Sequence, residues 1–103
     1  MEDIQERIKK FCKDNDMESP VEHRVLDTMS ELGEVAKEVL KMSDYGKKTP
    51  EYREEMKSEL GDVLFSLITI ANNLDISLEE ALNEVLEKYE KRLSKGSAGS
   101  END

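Results

Sequence analysis

The segment ELGDVLFSLITIANN at residues 59–73 constrains the fold more than any other part of the chain. Wound as a helix at about 100° per residue, it is apolar on nearly its whole circumference, through Val63, Leu64, Phe65, Leu67, Ile68, Ile70 and Ala71. The exception is a narrow stripe made by Glu59, Asp62, Ser66, Thr69 and Asn73. A helix that is apolar all round belongs in an interior. Other elements must therefore cover this one, and its polar stripe needs a polar surface opposite.

Three further helices are legible around it. The first runs from about Glu2 to Lys13, with Ile4, Ile8 and Phe11 at helical spacing, and ends at the DND of residues 14–16. The second starts at Ser19, with Pro20 at the first helical position and Glu22 completing a capping box. Its apolar positions are Val21, Val25, Met29, Leu32, Ala36 and Val39, and it ends near Met42. The apolar helix itself is predicted from Thr49, with Pro50 in its first turn, to about Leu74. The last starts at Ser77, with Glu80 three residues on, and carries Leu78, Leu82, Val85, Tyr89 and Leu93 on one face. No stretch shows strand-like alternation. The expectation is an all-α four-helix bundle in one domain, residues 1–93, followed by a disordered polar tail, residues 94–103. The three other short helices cannot easily cover the third, so the core is expected to be completed by oligomerisation, at least as a dimer.

Charge narrows the partners. The chain has 25 acidic against 15 basic residues, a net charge of −10. A nucleic-acid binder needs a basic face to neutralise phosphates, so no nucleic-acid partner is expected. No stretch approaches the ~18 consecutive apolar residues of a membrane span, and the N-terminus lacks the apolar core of a signal peptide. A soluble, cytoplasmic protein without a membrane partner is expected. Cys12 is the only cysteine, which rules out an intrachain disulfide, and its place on an apolar face reads as a small buried hydrophobe.

The chemistry is concentrated in two carboxylate stripes. On the second helix Asp27, Glu31, Glu34 and Glu38 fall within an arc of roughly 80°. Glu31 and Glu34 are three apart, as are Glu59 and Asp62, so each pair lies on one face about one turn apart. Such pairs can converge on one hard cation, and magnesium takes oxygen ligands that it often shares with substrate phosphates. By charge alone the pairs fit a metal site and a solvated acidic face equally well. The Ser66/Thr69 stripe on a covered helix favours the site.

The segments SELGEVAKEV (30–39) and SELGDVLFSLITIANNLDISLEEAL (58–82) resemble the MazG-like superfamily of all-α nucleoside triphosphate pyrophosphohydrolases, whose signature is ExxE, a spacer and ExxD. The resemblance covers about residues 19–93. It implies that Glu31, Glu34, Glu59 and Asp62 bind Mg²⁺, for which Mn²⁺ can substitute, and that the chain assembles as a homodimer or homotetramer. It also implies that water attacks the α-phosphorus of a (d)NTP, releasing nucleoside monophosphate and pyrophosphate, with nucleotide-pool cleansing as one role. Glu34 or Glu38 is the candidate general base. Lys88 and Arg92 in EKYEKRL (87–93) are the candidate phosphate contacts, with Lys37, Lys47 and Lys48 weaker ones. Some relatives carry a tyrosine four residues after the ExxD aspartate. Ser66 stands there in this chain, which also has no tryptophan, so an aromatic-lined dCTP pocket is not expected. The competing reading is a helical module that senses nucleotide or metal without catalysis.

Overall fold

The computed structural model describes residues 1–96. Four helices follow in order: α1 (Glu2–Asp14), α2 (Val21–Met42), α3 (Glu55–Asn73) and α4 (Leu78–Ser94). No strand occurs among the described residues, as the helical periodicity requires. The disordered tail proposed beyond α4 falls mainly on residues 97–103, outside the described ones.

α2 and α3 are the main packed pair and run antiparallel. At one end the Asn73 side-chain amide donates to the Ser19 carbonyl at 2.8 Å. At the other, Arg53, just before α3, donates to Glu38 near the end of α2. The polar stripe of α3 lies in this seam, with Ser66 and Thr69 buried. The Thr69 hydroxyl is satisfied within the helix, donating to the Ser66 backbone carbonyl at 2.6 Å. Ile68, fully buried, and Ala71 mark the inner face of α3.

α1 lies against α3, also antiparallel. Gln5 joins Asn72 at 3.1 Å, and Phe11 meets Phe65 edge-on with ring centroids 6.3 Å apart. Gln5 is buried, and all its polar atoms are used. Its amide also donates to the Ile76 carbonyl at 2.8 Å, while its carbonyl accepts the Leu78 backbone N–H at 2.8 Å. One side chain thus ties α1 to the corner between α3 and α4. Cys12 is buried as expected.

The ends of the helices follow tertiary needs as well as local signals. Ser77 caps α4 by accepting the Glu80 N–H at 3.2 Å, as its spacing predicts. Ser19 does not cap α2: Pro20 occupies the cap position without a side-chain bond, and the Ser19 carbonyl is committed to Asn73. α3 begins at Glu55, not Thr49. The Glu51 N–H is tied back to the Met42 carbonyl at 2.9 Å, and the Lys47 and Lys48 N–H groups to the Ser43 carbonyl at 2.9 and 3.0 Å. Residues 43–54 are therefore folded onto the end of α2 through a turn with positive φ at Asp44, Tyr45 and Gly46, and helix winding starts only once that segment has crossed.

The expected enclosure of α3 is incomplete. Leu64 and Leu67 remain 44% and 42% exposed, facing a largely apolar groove they share with Leu78, Ala81, Leu82 and Val85. α4 is tied to α1 by polar contacts at its first turn, from the Leu78 N–H to Gln5 and from the N-terminus to Glu79, and none of its residues is buried. The covering that periodicity demands is only partly supplied within one chain.

Candidate metal and nucleotide site

Helical spacing and the antiparallel seam together build the site. Glu31 projects from the middle of α2, and Glu59 and Asp62 from the first half of α3. One carboxylate oxygen from each lies within 4.8 Å of the others. Glu31 and Glu59 are partly buried and Asp62 is exposed, so the cluster opens to solvent on one side. Among the described residues none of the three is ion-paired. Partial burial pushes the Glu31 carboxyl above its ordinary 4.5, and the neighbouring charges of Asp62, Glu59, Glu34 and Asp27 add to that.

The donor set is made only of carboxylate oxygens, which suits a hard divalent cation and not a thiolate- or imidazole-seeking one. Three unpaired carboxylates in near contact are also what a cation would relieve. The residues present therefore fit Mg²⁺ or Mn²⁺.

The other candidates are distributed unevenly. Glu34 lies one turn beyond Glu31 and is exposed, outside the three-residue cluster but close enough for its charge to act on Glu31. Glu38 sits two turns beyond Glu31 on the same stripe, buried and ion-paired with Arg53. The hydrogen bond to Glu38 also holds the Arg53 guanidinium more firmly in its charged form. Lys37, Lys47 and Lys48 are exposed, and Lys48 pairs with Glu51 at 3.6 Å. Lys88 and Arg92 both flank the Tyr89 ring on α4, each 5.7 Å from its centroid. Arg24, on the same stripe as Glu31, is buried, and it donates to the Met17 carbonyl and meets the Cys12 sulfur. Arg53 escaped sequence reasoning because the predicted helix start at Thr49 placed it inside a regular helix.

The profile of the MazG nucleotide pyrophosphohydrolase domain matches residues 21–96, which include α2, α3, α4 and all three clustered carboxylates. This chain belongs to the MazG family. Solved structures of the family carry the same fold. The Bacillus-conserved MazG protein, a nucleotide pyrophosphohydrolase, superposes with a TM-score of 0.72 at 31% identity, over 85% of this chain and 86% of that one. The crystal structure of the putative pyrophosphatase YPJD from Bacillus subtilis gives 0.71 at 38% identity, over 85% and 92%. In sequence, the uncharacterized protein YpjD of Bacillus subtilis (strain 168) is 49% identical over 63 residues, 60% of this chain and 57% of its own length. The gene 37 protein of Mycobacterium phage L5 is 35% identical over 71 residues, 66% of this chain and 61% of its own. The match thus spans about three-fifths of these two relatives. α1 precedes the MazG match and is held on by Gln5 and the Phe11–Phe65 contact.

Proposed function

We propose that this MazG domain hydrolyses nucleoside triphosphates between the α- and β-phosphates, giving a monophosphate and pyrophosphate, with Mg²⁺ as the working cation. The convergence of Glu31, Glu59 and Asp62 within 4.8 Å, in a chain carrying ELGE and ELGD, is the observation that carries this reading. A bound divalent cation supplies charge neutralisation of the phosphates and lowers the pKa of a coordinated water. Glu31, Glu59 and Asp62 hold it, and Glu34 joins them from the next turn of α2. Glu34 is also the better placed general base of the two candidates, because it is exposed and unpaired among the described residues, whereas Glu38 is engaged with Arg53.

The base end of the substrate has a matching surface. A groove of about 350 Å³ between α1 and α3 is lined by Ile4, Arg7, Ile8, Phe11 and Phe65, and Phe65 follows Asp62 by one helical turn. Aromatic edges and apolar walls with one guanidinium suit a nucleobase better than a sugar or a peptide. Lys37, Lys88 and Arg92 remain the candidate phosphate contacts, those on α4 serving a neighbouring copy's site if the exposed apolar faces assemble. Removal of unwanted nucleotides from the pool is the role this chemistry suits.

The test is pyrophosphate release from a panel of canonical and modified triphosphates, with and without Mg²⁺. The reading expects release from at least one of them that depends on the cation. Metal binding without turnover of any triphosphate would leave a sensing module instead.

A further inference from the structure

We propose that Arg53 binds the phosphate chain of the nucleotide, oriented for that task by the buried carboxylate of Glu38. The inference rests on the pyrophosphohydrolase reading above and adds to it a residue that no helix pattern singled out.

Arg53 lies in the segment that crosses from α2 to α3, and its Nε donates to Glu38 Oε1. The Glu38 side chain is 7% exposed and that of Arg53 38%, so the pair is anchored at its inner end and open at its outer end. A guanidinium carries its donors in a rigid planar fork. With Nε committed to Glu38, the Nη groups are left on the outer edge, the edge that pairs side by side with phosphate oxygens. Among the described residues only Glu55 approaches that edge, with Oε2 3.6 Å from Nη2. Its side chain is 61% exposed, and an exposed pair of this kind is weak and readily exchanged for a better anion.

Position supports the same assignment. Glu55 and Glu59 are four apart on α3 and share a face with Asp62. Arg53 reaches Glu55, one turn before Glu59 on α3, and is held by Glu38, two turns beyond Glu31 on α2, so it stands one to two helical turns, roughly 6–10 Å, along the seam from the carboxylate cluster. A nucleotide with its α-phosphate at the cluster needs cations for the phosphates beyond it, on a chain of net charge −10. Arg53 is a cation of that seam whose outer edge is held only by an exposed carboxylate.

A strut that merely holds the start of α3 in place would also involve this pair, so the test separates the two roles. Binding of inorganic pyrophosphate at saturating Mn²⁺, and of Mn²⁺ alone, is measured by calorimetry on the full chain. Arg53→Met leaves Glu38 buried without a partner and risks misfolding. The double variant Glu38→Met/Arg53→Met removes both charges and avoids that, and Arg53→Lys keeps the charge without the fork. The proposal expects pyrophosphate affinity to fall at least about tenfold in both methionine variants, the scale of losing charged hydrogen bonds. Arg53→Lys should lie in between, and Mn²⁺ affinity should hold throughout. Equal loss of Mn²⁺ and pyrophosphate binding would make Arg53 a strut and overturn the proposal. So would unchanged pyrophosphate binding, or none in the unaltered chain. Failure of every triphosphate in the turnover panel would sink the enzymatic reading instead, and the pyrophosphate measurement would still decide the role of Arg53.

Discussion

At the residue scale, the three clustered carboxylates combine mutual repulsion with a readiness for metal. Asp62→Asn keeps size and polarity and removes one ligand charge. We expect native circular dichroism and an unchanged or higher melting temperature without metal. Pyrophosphate release should fall by at least about 100-fold, beyond what loss of an outer-shell partner usually costs. An unfolded variant, or near-normal turnover at saturating Mg²⁺, would remove Asp62 from the ligand set. Glu31 allows a pH test. Its carboxyl is raised above 4.5 in the fold, so the folded state takes up its proton more readily than the unfolded chain. That contribution to stability is fully present below 4.5 and is lost as pH rises through the folded-state value. Glu31→Gln should therefore melt higher than the unaltered chain in EDTA at neutral pH, and the advantage should vanish below pH 4.5. Added Mg²⁺ should stabilise only the unaltered chain. Melting curves across pH with and without the cation check both statements.

Among the elements, α3 carries the most. Its two faces behave differently, although both read as core in the sequence. Ile68 is fully buried, whereas Leu64 is 44% exposed. Ile68→Ala is expected to cost about 2–5 kcal/mol through loss of packing and the cavity left behind, whatever the protein concentration. Leu64→Ala should cost less in the isolated chain. Its effect should grow with protein concentration if another copy covers that groove. Denaturant melts at two concentrations separate these outcomes. Helix ends were legible where the cap acts locally, as at Ser77. They were misread where the tertiary path of the chain decides: Pro20, not Ser19, holds the cap position of α2, and the backbone of residues 47–51 is tied to the end of α2 before α3 begins.

For the whole molecule, the imbalance is between apolar surface and cover. The radius of gyration is 17.0 Å, against about 13 Å for a compact domain of 100 residues. Among the described residues only Cys12, Ile68 and Ala71 are buried and apolar, while Leu60, Leu64, Leu82, Leu86 and Leu93 are exposed. Exposure on that scale marks an interaction surface, and a second copy of the chain is the occupant we propose. Sedimentation at micromolar concentration is expected to give a dimer or tetramer. Leu82→Asp, in the middle of the groove on α4, should shift it toward monomer and lower the melting temperature. A stable monomer of the unaltered chain would refute the assembly and confine the site to residues of one chain. Among the described residues, no helix is long and apolar enough to cross a membrane.

The sequence by itself determined four helices, the polar stripe of α3, the pairing of carboxylates at three-residue spacing and the family those motifs belong to. Each of these depends only on residues a few positions apart, where helical geometry dictates who shares a face. Tertiary structure alone decided which carboxylates meet. Glu31 joins Glu59 and Asp62 because α2 and α3 run antiparallel in one register, and that same register withdraws Glu38 into a pair with Arg53. It also decided that Arg24 would be buried against a carbonyl and a thiol. Those outcomes turn on side chains that are far apart in the chain, and no local periodicity encodes the distance between them.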